Sequence, residues 1–150
     1  MNLKKGFTLA EILIVVLIVG ILTAIAVPRL SFSLISNLDA KVQSKRLAAV
    51  IRKTRSLAIL HAATNNEGFR LSMTGPEPYA GYEIVDIDTS ETVETGSIEG
   101  VECTGASVFN FGPLGNRLSP NTEGLEVADG EKSYGITVVN STGMVRWAEE

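Results

Sequence analysis

The sequence predicts an α+β protein in which a long N-terminal α-helix packs its second half on a small antiparallel β-sheet domain. Three observations carry this. Between Phe7 and Val27 the only charged residue is Glu11. From Ser31 to Ala63 no Gly or Pro interrupts a run with apolar residues at three- and four-residue spacing. From Phe69 onward the pattern turns to short alternating segments separated by Gly, Pro, Asn and Ser.

The apolar run from Phe7 to Val27 is 21 residues long. As a helix it reaches about 32 Å, enough to cross a hydrocarbon core of about 30 Å. Lys4 and Lys5 precede it and Arg29 follows it. Three readings compete. A secretory signal peptide has a shorter apolar core and a small-x-small cleavage site, whereas this run ends in Val27-Pro28-Arg29. A plain membrane anchor fits the length, and its basic flank biases that end to the cytoplasm. It leaves Glu11 without a reason, because a carboxylate inside a membrane helix costs about 2.5–3.5 kcal/mol near the centre and somewhat less near an end. The third reading gives Glu11 a partner.

The stretch Lys4-Lys5-Gly6-Phe7-Thr8-Leu9-Ala10-Glu11, followed by an apolar run ending in Ala26-Val27-Pro28, closely resembles the class III signal of type IV pilins and type II secretion pseudopilins. The resemblance implies that a membrane prepilin peptidase cleaves after Gly6 and N-methylates Phe7. It implies that Glu11 meets the new amine of Phe7 on a neighbouring subunit as a filament grows. In lipid an ammonium and a carboxylate neutralise one another, so a costly acid becomes a pin for register. The other partners implied are the bacterial inner membrane, further pilin or pseudopilin subunits and an inner-membrane assembly platform. The chain would be single-pass, with leader cytoplasmic and globular domain periplasmic, and after assembly it would lie in a periplasmic pseudopilus or an extracellular pilus.

The organisation expected is a leader over 1–6, a transmembrane or filament-core half-helix over 7–28, an amphipathic half-helix over 29–63 and a β-rich globular domain over 64–150. Gly20 weakens a helix by up to about 1 kcal/mol relative to Ala, and Pro28 removes a backbone donor. The resemblance implies unwinding between Gly20 and Pro28 in a filament, and a gentle bend is the alternative. Beyond Ser31 one stripe runs through Leu34, Ile35, Leu38 and Val42, and a second through Leu47, Val50, Ile51, Thr54, Leu57, Ala58 and His61. They do not line up, which suggests that the first faces other helices and the second faces the chain's own domain. Asn65-Asn66-Glu67-Gly68 ends the helix.

Strands are expected at Phe69–Met73, Tyr82–Ile87, Ser97–Val101, Ser107–Phe111, Leu125–Val127, Tyr134–Val139 and Met144–Trp147. The last two flank the hairpin signal Asn140-Ser141-Thr142-Gly143. Phe109-Asn110-Phe111 before a Gly-rich turn, with a final hairpin ending in Gly143-Met144-Val145-Arg146, resembles the H-type minor pseudopilins and FimT-like pilins, the GspH/FimT group. Major pseudopilins usually carry a calcium loop near the C-terminus, and no dense Asp/Asn loop stands there in this chain.

Charge is segregated. Up to Arg55 there are nine basic and two acidic residues, net +7; from Ser56 onward there are four basic and fifteen acidic residues, net −11. This is either a solvated basic helix beside a soluble acidic domain, or a device in which one subunit's helix meets another's domain. Cys103 is the only cysteine, so no intrachain disulfide forms. It reads as a half-buried thiol without chemical role, with an intermolecular bridge as the alternative. His61 is the only histidine, and no nucleophile motif or metal spacing accompanies it. The chain is therefore not expected to be an enzyme or to hold a metal or cofactor. Arg146 stands alone beside Glu149 and Glu150, so nucleic acid is not an expected partner.

Two function classes remain. One is a structural, minor subunit of a type IV pilus or type II secretion pseudopilus. The other is a non-polymerising, membrane-anchored periplasmic binding domain. Gly6, Phe7 and Glu11 separate them, because a monomeric anchor has no use for a processed N-terminus.

Overall fold

The computed structural model describes residues 9–26, 33–118, 124–130 and 132–150. The chain divides into two compact units, Met1–Leu34 and Ile35–Glu150. In the first, helix α1 spans Leu9–Ala26. Gly20 lies inside it and the helix continues to Ala26, so no unwinding occurs between those two residues in the single chain. Val27 and Pro28 lie outside the described residues, as do Gly6, Phe7 and the link 27–32 on which an unbroken helix would depend.

Helix α2 spans Ser33–Leu60. Its buried residues are Ala40, Ser44, Leu47, Ala48, Val50, Ile51, Thr54 and Ala58, a stripe of helical period. The expected second stripe is this one, except at its end. Leu57 is half-buried, while His61 is exposed beside the Phe69 ring, 5.6 Å between centroids. Val42, of the first stripe, is exposed. The helix stops at Leu60 rather than near Ala63. His61 O accepts from both Thr64 N and Asn65 N, which closes a tight turn. Asn65 is buried and braces the exit: its Oδ1 accepts from Gly68 N, and its Nδ2 donates to Asp86 Oδ1 at 2.8 Å.

Eight strands follow: β1 Phe69–Thr74, β2 Gly81–Asp86, β3 Thr92–Ser97, β4 Glu102–Gly105, β5 Val108–Phe111, β6 Leu125–Ala128, β7 Ser133–Val138 and β8 Val145–Glu149. They form two four-stranded sheets, ordered β3-β2-β1-β5 and β4-β6-β7-β8, and every pairing is antiparallel. Of the strand expected over Ser97–Val101, Ser97 is the last residue of β3 and 98–101 form the junction between β3 and β4. β3, Thr-Val-Glu-Thr-Gly-Ser, is a sheet edge with no fully buried residue, so it lacks the apolar alternation that marks a half-buried strand.

The inner faces carry the core. Leu71, Ile84, Phe109 and Phe111 of one sheet and Cys103, Val127, Tyr134 and Ile136 of the other are almost fully buried. Cys103 is wholly buried rather than half-buried, which sets its thiol inward, away from any neighbouring chain. Leu47 and Ile51 of α2 join the same hydrophobic cluster as both sheets.

Candidate functional site

α1 presents apolar side chains on every side. All eleven large ones from Leu9 to Leu22 are exposed, between 49% and 78% of their surface. At about 1.5–3 kcal/mol per buried side chain, leaving them in water costs more than 10 kcal/mol, comparable with the whole stability of a small domain. α1 is therefore a surface that lipid or other helices must cover. Among the described residues no helix is long and apolar enough to cross a membrane. The 18 residues of α1 reach about 27 Å. The apolar run of the sequence extends past both ends, at Phe7, Thr8 and Val27, outside the described residues.

Glu11 sits in the first turn of α1, where an acid complements the helix dipole by about 0.3–1 kcal/mol. Its neighbours on that turn and the next are Ile12, Leu13, Ile14 and Val15, all exposed. A carboxylate thus sits in the surface that must be covered. At Gly20 an added Cβ would meet nothing within 4 Å among the described residues, so there is room for a larger side chain there. Small residues on apolar helices let another backbone approach closely.

In the second unit α2 is fixed to both sheets by polar contacts along its length. Trp147 Nε1 donates to Ser44 Oγ at 2.9 Å, and Lys45 lies 5.2 Å from the Trp147 ring centre. Arg52 Nη2 donates to Val145 O at 3.4 Å, and Arg55 Nε to Gly115 O at 2.9 Å. Lys53 pairs with Glu94 of β3. Part of the basic helix seen in the sequence is therefore engaged by its own domain. At the opposite end Lys132 pairs with Glu149 at 2.7 Å, which holds the Glu149 carboxyl below and the Lys132 ammonium above their ordinary values.

Residues 1–27 match the prokaryotic N-terminal methylation motif. The crystal structure of the type IV minor pilin FimU from Pseudomonas aeruginosa is similar over 72% of this chain and 91% of that one, with a TM-score of 0.60 at 10% identity. This chain is pilin-like: it joins a prepilin N-terminal motif to the fold of a type IV minor pilin. At 10% identity the likeness is one of fold. In this pilin-like chain the sequence placed Glu11 and Gly20 on α1, where the structure has them, while Gly6, Phe7 and Pro28 lie outside the described residues. Sequence reasoning missed a second exposed apolar cluster, where the end of α2 meets the loop after β5 and the turn between β7 and β8. Its one sequence signal is an isolated Leu114 in the turn Gly112-Pro113-Leu114-Gly115, and single apolar residues in turns are common.

Proposed function

We propose that this chain is a structural subunit, of minor type, of a type IV pilus or type II secretion pseudopilus, in the GspH/FimT group. A prepilin peptidase cleaves after Gly6 and N-methylates Phe7. The subunit waits in the inner membrane, single-pass, with its β domain on the periplasmic side. It then enters the filament through an assembly platform, α1 moving from lipid into a bundle of like helices. Glu11 sets register by meeting the Phe7 amine of a neighbour.

The observation that carries this reading is α1 itself. It is apolar on all sides, exposed on all sides and carries one acid in its first turn, behind a methylation motif. A helix that only anchored a domain would be covered by lipid as well, and there an acid would cost more than the about 0.3–1 kcal/mol that the helix dipole returns. The FimT-like assignment rests on Phe109-Asn110-Phe111 and the final hairpin Gly143-Met144-Val145-Arg146.

The test is to express the full chain in bacterial membranes with and without a prepilin peptidase and to identify the N-terminal residue of the product by mass spectrometry. A product beginning at methylated Phe7 is expected. An intact Met1 in the presence of active peptidase would overturn the subunit reading and leave a membrane-anchored domain.

A further inference from the structure

β3 is the edge of its sheet, and its outward backbone is bare. The register sets Tyr82 against Gly96 and Ile84 against Glu94, and Ile98 N donates to Ala80 O. Ladder bonds therefore fall on Glu94, Gly96 and Ile98, and the N–H and C=O groups of Thr95 and Ser97 point away from the sheet. The other sheet edges are each met by another segment. Leu118 N donates to Asn110 O of β5, and Tyr79 N to Cys103 O of β4. Arg52 Nη2 donates to Val145 O of β8. Among the described residues no such bond reaches the outward side of Thr95 or Ser97, and both are exposed. A register shift beyond Glu94 ends the regular edge there, so the bare stretch is short.

Carboxylates line this edge. Asp88 and Glu91 stand in the turn before β3 and Glu99 just past its end, all exposed. Glu83 of β2 lies directly opposite Thr95, on the same face of the sheet. Glu94 is paired with Lys53, whereas Glu83, Glu91 and Glu99 have no ion pair among the described residues. Arg70 belongs to β1, one strand further in than β2, and its Nε donates away from the edge, to Asn110 of β5 at 3.1 Å. Arg46 stands exposed two turns before Lys53 on the same side of α2, and the acids outnumber it.

A bare edge is a template for another strand. A second copy's β3 would bring its own acids against these, and like charges facing each other across a strand pair are destabilising. We infer that β3 takes up a short extended segment of a different protein, with Lys or Arg at alternate positions. The segment's backbone pairs with Thr95 and Ser97, and its cations reach Glu83, Glu91 and Glu99. Main-chain bonds supply the hold and the alternate side chains supply the choice. None of the residues assigned to processing or to filament register takes part.

The test uses the full chain in nonionic detergent micelles and a short, end-capped peptide of alternating Lys and Thr. The peptide is expected to slow hydrogen exchange at Thr95 and Ser97, and a peptide of alternating Glu and Thr to leave it unchanged. Thr95→Pro removes an outward N–H and no ladder bond, so the unfolding midpoint should hold while peptide affinity falls by about tenfold. Raising salt from about 0.1 to 1 M, which shortens the screening length from about 10 to 3 Å, should weaken binding as well. Where Thr95→Pro does not fold, the Lys–Thr peptide N-methylated at every residue takes its place, and should bind more weakly than the parent peptide. Equal binding by Thr95→Pro or by the N-methylated peptide would mean that charge alone draws the peptide, and would overturn the inference. No protection by the basic peptide, or equal binding of the basic and acidic peptides, would overturn it too. Dimers trapped through Thr95→Cys in a Cys103→Ala chain would place a second copy on β3, with the same result.

Discussion

Arg117 lies with its guanidinium carbon 4.9 Å from the centre of the Phe109 ring. It is 95% buried, and its Nε, Nη1 and Nη2 have no hydrogen-bond acceptor among the described residues. Burial pulls its pKa down from the ordinary value. Among the described residues its guanidinium has an aromatic face and no acceptor, and a buried charge so placed is poorly compensated. Arg117→Met, which keeps length and packing, should therefore raise stability, by about 1–4 kcal/mol on the precedent of buried ionic groups replaced by apolar ones. Urea denaturation of the two proteins measures this; a loss of stability would mean that Arg117 holds an acceptor.

Gly143 has φ +64° and touches Gly115 O so closely that a Cβ there would sit 1.9 Å from it. Gly143→Ala should destabilise by more than about 2 kcal/mol, from left-handed strain of about 1–2 kcal/mol plus displacement of the loop after β5. Gly100→Ala is the matched control. Gly100 has φ +76° with nothing within 4 Å of an added Cβ, so only the strain should appear. Equal costs at both positions would remove the steric account.

Ser44 is wholly buried, donates to Lys41 O and accepts from Trp147 Nε1. Ser44→Ala leaves the indole N–H without its partner at the seam between α2 and β8. The expected cost is about 1–3 kcal/mol, the desolvation of an unpaired donor. Trp147 is the only tryptophan, so its fluorescence reports this seam alone. A stability change without a shift in Trp147 emission would place the effect elsewhere.

Cys103 should resist thiol reagents at pH 8 in the folded protein and react at once in denaturant. Burial first, and the nearby Glu77 carboxylate second, push its pKa up to about 12. In the unfolded chain the thiol ionises near pH 9, whereas the folded one stays protonated to higher pH. The protonated form therefore favours the fold: its contribution is intact below pH 9 and is lost as pH climbs from about 9 to 12. The slope approaches about 1.4 kcal/mol per pH unit for one proton. Cys103→Ala should flatten the stability profile in that window, and identical profiles would contradict the assignment.

Glu11→Ala should leave processing intact and abolish entry into filaments. The carboxylate lies on the surface of α1, not in a packed core, so the β domain should unfold at the same denaturant concentration as in the wild type. Sedimentation of sheared filaments and the N-terminal mass separate the two effects. Filaments of normal yield from Glu11→Ala would remove its role in register.

The most legible elements were those whose signal is local. The final hairpin formed where Asn140-Ser141-Thr142-Gly143 placed it, with Val139 N donating to Met144 O. β5 formed on Val108–Phe111, where apolar residues alternate. β3 was not legible, because an edge strand buries little and so leaves little pattern. The exposed apolar end was not legible either. Ile59 and Met144 are 85 residues apart in the chain, and only the contacts of Gly115 with Ile59 and Gly143 bring them together.

By itself the sequence determined the apolar helix with one acid, the change of hydrophobic stripe along α2, and the segregation of positive charge to the first third of the chain. These are one-dimensional properties, set by residue type and spacing. The tertiary structure decided which cations are already engaged, as Lys53 is with Glu94 and Arg55 with Gly115 O. It decided that Arg117 is buried and Cys103 wholly enclosed. It also decided that Ile59 and Met144, far apart in the chain, are exposed near one another around Gly115 and Gly143. Such facts depend on strand order and register, which bring distant residues together through packing and not through spacing.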